Sequence, residues 1–112
     1  MKRGEIWWAD LPTPRGSEPG FRRPVVIVSD DRFNDSELRT VIVIALTTNL
    51  RLGALRGNVG VPARGTGLSK PSVTNVTQIS AVDRGDLDGR IGRVPKRVMD
   101  DIDNGLRLVL AL

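Results

Sequence analysis

The sequence predicts an α+β protein that is mostly β: a small, strongly bent sheet followed by one C-terminal helix. Three observations carry this. Short β-branched runs, Val25–Val28 and Thr40–Leu46 above all, are bounded by proline, glycine and polar clusters, as buried strands are. Only Pro95–Leu110 shows a sustained helical stripe. A chain of 112 residues is the size of one domain, 1–112, and no repeat, linker or low-complexity tract divides it.

The elements follow in order. Gly4–Asp10 reads as a first strand with Trp7 and Trp8 for bulk; strand tryptophans pack more often than they stack on ligands. Leu11–Arg23 reads as a loop, because Pro12, Pro14, Gly16, Pro19 and Gly20 interrupt regular structure. Pro24–Ser29 is a buried strand, Asp30–Leu38 holds a short helical turn, and Thr40–Leu46 is a second buried strand. Thr47–Gly57 is a polar, basic loop or turn, Asn58–Pro62 a short strand, and Ala63–Pro71 a Gly-rich loop. Ser72–Ser80 is a strand with Val73, Val76 and Ile79 apolar; Asn75 and Thr77 share one face, and Thr74, Val76 and Gln78 the other. Asp83–Asp88 reads as a turn or 3₁₀ element and Arg90–Val94 as a last short strand. In the helix, proline suits the first position, and Val98, Ile102, Leu106 and Val109 fall on one face. Asp100 and Asp101 precede Arg107, as the helix dipole prefers. Five or six short strands with one terminal helix suggest a bent sheet or SH3-like barrel.

Composition narrows the chemistry. There is no cysteine, which excludes disulfides, thiolate metal sites and a cysteine nucleophile. There is no histidine, which removes the commonest general base and the commonest metal ligand. The work falls to carboxylates, Arg, Lys, Ser, Thr or the backbone. Neither a metal nor a cofactor is expected. The basic start Met1-Lys2-Arg3 is followed by Asp10 and prolines rather than an apolar stretch, so it does not read as a signal peptide. No run is long enough to span a membrane, and the protein reads as soluble and cytoplasmic.

Net charge is +4, and its distribution says more than its sum. Between Leu38 and Val82 there is no acidic residue, yet there are Arg39, Arg51, Arg56, Arg64 and Lys70. A one-signed middle third suggests a surface that can follow a phosphate backbone. Arginine-rich composition alone, with 14 of 17 basic residues Arg, accounts for this equally well.

Three segments carry candidate chemistry. In Gly16-Ser17-Glu18-Pro19-Gly20-Phe21-Arg22-Arg23-Pro24, a Gly/Pro loop delivers two guanidinium groups to the start of a strand. Arginine presents planar, bidentate donors that match phosphate oxygens. Arg23 is held extended by the proline that follows it. In Leu46-Thr47-Thr48-Asn49, hydroxyls stand at the mouth of a buried strand; they can donate to an anionic oxygen or simply cap a turn. In Ser72–Ile79, amides and hydroxyls can read base edges or form the polar outer face of a half-exposed strand.

Taken together, and in this order, these segments resemble the MazF/PemK toxins over essentially the whole chain. Arg3–Leu11 resembles the family's opening strand; Gly16-Ser17-Glu18, Arg23-Pro24 and Val25–Ser29 its arginine-bearing loop and strand; Ala45–Thr48 its threonine site. Ser72-Val73 with Gln78-Ile79, Asp83–Leu87 and the final helix complete the pattern. One departure is Pro19, where the family often has glutamine, which removes a side-chain RNA contact from that position.

The resemblance implies an SH3-like barrel that forms a homodimer and cuts single-stranded RNA (mRNA) at a sequence it recognises. It implies 2′,3′-cyclic phosphate and 5′-hydroxyl products, no metal, and inhibition by an acidic antitoxin whose flexible tail covers the RNA groove. DNA enters only through the antitoxin complex. The family's arginine maps to Arg23 and its threonine to Thr47, with Ser17, Glu18, Arg22, Thr48, Asn49, Arg51 and Gln78 around them as substrate contacts. Arginine stays protonated at neutral pH, so its part is to stabilise charge and donate a proton rather than act as a base. Glu18 is the nearest carboxylate in sequence. A CcdB-like gyrase poison and a non-catalytic RNA-binding barrel are the other readings; neither needs both Arg23-Pro24 and Thr47.

Overall fold

The computed structural model describes residues 1–11, 16 and 21–112. Six strands form one sheet: β1 (Glu5–Leu11), β2 (Phe21–Ile27), β3 (Thr40–Thr47), β4 (Gly60–Val61), β5 (Ser72–Asp83) and β6 (Leu87–Arg93). Their order is β4-β5-β3-β2-β1-β6, and every neighbouring pair is antiparallel. A single helical turn, α1 (Asp31–Asn34), follows β2, and α2 (Lys96–Leu110) ends the chain. Short 3₁₀ turns lie at Leu50–Ala54 and Arg84–Asp86. The expected class, a mostly β α+β fold with a bent sheet and one long terminal helix, is the one observed. Among the described residues, no helix is long and apolar enough to cross a membrane.

Alternation along the central strands builds a core on each face. Ile6, Val26, Ile44 and Leu46 face α2 and pack with Val61, Val76, Val94, Val98, Met99 and Ile102. Val25, Ile27, Val41 and Val43 point the other way and pack with Ala9, Val82 and Leu87. The helical stripe is only partly used. Val98 and Ile102 are buried and Leu106 partly so, but Val109 is exposed, because the last turn runs past the sheet.

The sheet curls until the loop beyond one edge reaches the strand at the other. The loop between β4 and β5 presses on β6 so closely that a Cβ at Gly92 would lie 1.9 Å from the Thr66 carbonyl oxygen. Thr66 is itself fully buried, and its hydroxyl donates to the carbonyls of Pro62 or Ala63 at 2.7 and 2.8 Å. The helix docks by a second close approach: a Cβ at Gly105 would lie 2.1 Å from the Gly57 carbonyl oxygen.

Two expectations need correction. β2 begins at Phe21 rather than Pro24, since Phe21, Arg22 and Arg23 pair with Leu11, Asp10 and Ala9 of β1. Proline is tolerated inside the strand because its missing N–H points toward β3, not toward β1. β5 runs on to Asp83, and its two halves hold different registers on β3: Ile44 pairs with Ile79, but the next residue, Ala45, pairs with Asn75. Val76, Thr77 and Gln78 therefore bulge out of the ladder, and the simple face alternation expected for Ser72–Ser80 fails at that point.

Candidate active site

The site expected from sequence assembles where β2 and β3 part. The β2–β3 ladder pairs Ile27 with Val43, Val26 with Ile44 and Val25 with Ala45, and the Val28 N–H bonds the Ile42 carbonyl at 2.9 Å. Counting back by twos from Val28, residues 26 and 24 are the next positions to bond β3. Position 24 is proline and has no N–H to give, so the ladder stops at Val25–Ala45. By strand alternation Arg23 follows Val25, and Thr47 follows Ala45, on one face of the sheet, just beyond the last paired residues. Both are half-buried. The sequence thus sets a cation and a hydroxyl on the same face at the point where proline ends the ladder.

Thr47 is oriented by its own turn. Its hydroxyl oxygen accepts the Asn49 N–H at 3.1 Å, and among the described residues its proton has no acceptor. A hydroxyl fixed as acceptor on one side keeps its donor for a ligand. Asn49 in turn caps the 3₁₀ turn, its side-chain oxygen accepting the Arg51 N–H at 3.3 Å. Thr48, Asn49 and Arg51 are all exposed at this rim. Gln78 sits in the β5 bulge, half-buried. Ser17 and Glu18 lie outside the described residues.

Arg22 is not brought to Arg23. Successive strand residues point to opposite faces, and Arg22 projects to the side of Trp8 and Asp10. There its guanidinium bonds the Asp88 carboxylate on β6, lies 3.9 Å from Asp10, and stands 5.0 Å from the Trp8 ring centroid. Trp8 is therefore a surface platform for Arg22, whereas Trp7 packs against the second core as expected. The bond to Asp88 raises the Arg22 pKa further.

The charge pattern carries through to the fold. Lys2, Arg3, Arg22, Arg32, Arg90 and Lys96 are paired with carboxylates. The cations of the acid-free stretch, Arg39, Arg51, Arg56, Arg64 and Lys70, form no ion pair among the described residues. Asn75, placed by the sequence only within a strand whose amides can read base edges, pairs with Ala45 and so shares a face with Thr47 and Val73, two residues away on either strand. The bulge that follows it has no local signature in the sequence.

A curled antiparallel sheet, closed by its β4–β5 loop and carrying one terminal helix, places the chain among small MazF-like β domains. MazF from Deinococcus radiodurans superposes with a TM-score of 0.84 at 18% identity, over 100% of this chain and 97% of that one. A mycobacterial endoribonuclease solved in complex with its cognate antitoxin superposes at 0.82, with 23% identity over 100% and 96% of the two chains. In sequence, endoribonuclease MazF2 of Mycobacterium bovis is 47% identical over 112 residues, covering 100% of this chain and 98% of its own. The model of the PemK-like, MazF-like toxins of type II toxin–antitoxin systems matches residues 2–110, and the chain belongs to that family.

Proposed function

We propose that this toxin is an endoribonuclease that cuts single-stranded RNA, mRNA in particular, at a recognised sequence. The observation that supports the reading is that Pro24 ends the β2–β3 ladder at Val25–Ala45, with Arg23 and Thr47 next on the same face of their strands. RNA brings its own nucleophile. The 2′-oxygen bonds to phosphorus, the bond from phosphorus to the 5′-oxygen breaks, the 2′-hydroxyl gives up its proton, and the 5′-oxygen gains one. The products are a 2′,3′-cyclic phosphate and a 5′-hydroxyl. Arg23 neutralises the charge that develops on the phosphorane, and Thr47 donates to a non-bridging oxygen. No metal is required.

Thr48, Asn49, Arg51 and Gln78 contact the strand around the cut, joined by Ser17 and Glu18 of the preceding loop. The family match and the endoribonuclease relative favour this over a CcdB-like gyrase poison or a non-catalytic barrel. The toxin works in the cytoplasm as a homodimer. A cognate acidic antitoxin silences it by laying carboxylates over donors set for phosphate, and DNA is met only through the antitoxin complex; a mycobacterial neighbour is itself solved with its cognate antitoxin.

The test is incubation with a mixed RNA pool in EDTA, with end-group analysis. Cleavage should persist, with cyclic phosphate at the 3′ ends. A substrate carrying 2′-deoxy at the scissile nucleotide should bind and stay intact; its cleavage would make water the nucleophile and end this mechanism.

A further inference from the structure

We propose that Asn75 is a base-reading residue, which recognises one nucleotide beside the scissile phosphate through its side-chain amide. The inference rests on the reading of Arg23 and Thr47 as the cleavage site. The chain has five asparagines. Asn34 bonds the Ser29 carbonyl and the Asp31 carboxylate. Asn49 caps the 3₁₀ turn, Asn58 bonds the Leu52 carbonyl and the Val76 N–H, and Asn104 accepts from Arg107. Each of these is used by the fold. Among the described residues, Asn75 alone of the five has no side-chain hydrogen bond, although it is half-buried in mid-strand. Asparagine is a poor strand former, and an amide drawn partly out of water without a partner costs stability. The fold gains nothing visible from it.

Its position explains it better than its packing does. Asn75 pairs with Ala45, and the next residue on the same face of β3 is Thr47. Diagonal neighbours of this kind sit about 7–8 Å apart, within one nucleotide's reach of a phosphate held at Thr47. The bulge of Val76–Gln78 begins immediately after Asn75, and the Val76 N–H that leaves the ladder is held by the Asn58 side chain at 3.0 Å. Bulges of this type turn side chains toward active sites. An amide offers a donor and an acceptor side by side, which is what a base edge presents in return. Sequence-specific recognition of single-stranded RNA works through such edges.

The test is a randomised single-stranded RNA pool cut by the wild type, Asn75→Ala, Asn75→Asp and Arg23→Ala, with the cut ends sequenced. Asn75→Ala should relax one position next to the cut by roughly 10- to 100-fold, the discrimination one bidentate contact supplies. Asn75→Asp, which can only accept, should re-rank that position toward bases with an exocyclic amine, adenine, cytosine and guanine, and away from uracil. Neither variant should lower the thermal midpoint, since no hydrogen bond among the described residues is lost. Unchanged preference at every position, uniform slowing of all words, or a large fall in the midpoint would overturn the proposal. Arg23→Ala separates the two readings: if it cuts normally, the site assignment fails; if it is inactive while the Asn75 variants read the wild-type word, only the base-reading role falls.

Discussion

Arg22 and Arg23 are adjacent in the chain and lie on opposite faces of β2. Arg22 is tied to Asp88 over the Trp8 ring, and Arg23 shares its face with Thr47. Their substitutions should therefore separate cleanly. Arg23→Ala should lose about 100–1000-fold in single-turnover cleavage, the usual cost of one oriented transition-state donor. Arg22→Ala should cost far less, acting only through the anchoring of the β2 start. Equal losses in the two variants would show that the wrong arginine was assigned.

Salt dependence tests the positive stretch. Arg51, Arg56 and Lys70 have no ion-pair partner among the described residues, so their charge is available to a strand of RNA. If they line its path, binding by a non-cleavable 2′-deoxy analogue should weaken steeply with salt. The logarithmic slope should be about −0.7 per phosphate neutralised. Each Ala substitution should reduce that slope by one such step, and an acidic antitoxin peptide should displace the analogue. A flat salt response would remove this surface from the binding account.

Closure of the curled sheet depends on Gly92 lying against Thr66. A methyl group at position 92 would meet backbone rather than a yielding side chain. Gly92→Ala should destabilise the fold by about 1–3 kcal/mol, the usual cost of forced overpacking. A lower urea midpoint with an unchanged m-value would register it. An unaltered midpoint would mean that the β4–β5 loop is not needed to hold β6.

How far the sequence reveals this molecule depends on whether a feature is local. The α2 helix was legible because Val98, Ile102 and Leu106 repeat with helical period, and β3 because Thr40–Leu46 is a β-branched run. The Arg23–Pro24 step was legible as chemistry, but not as geometry. Pro24 looked like the start of a strand, whereas it lies inside one and ends the ladder on a single side. Arg22 could not be told from Arg23, because its partner Asp88 lies 66 residues away. The register shift at Ile44–Ala45 depends on how β5 is drawn across β3, and no residue in Val76–Gln78 announces it.

The Glu5 carboxylate gives the fold a signed dependence on pH. Burial alone would raise its pKa, but three donors together outweigh that: the Lys2 N–H at 2.8 Å, the Trp7 indole at 3.1 Å and Arg90 at 2.8 Å. The folded value therefore lies below the ordinary 4.5. In that window the unfolded chain binds the extra proton, so stability rises with pH. The contribution is complete above the ordinary value and is lost as pH falls through the folded one. Glu5→Gln removes the charge and keeps the shape. It should cost about 1 kcal/mol at neutral pH, a low figure for a charged hydrogen-bond cluster because Arg90 remains half exposed to water. The gap between wild type and variant should narrow as the buffer is taken below pH 4.5. Urea midpoints followed by tryptophan fluorescence across that range measure it, and a gap that stays constant with pH would remove Glu5 from the acid response.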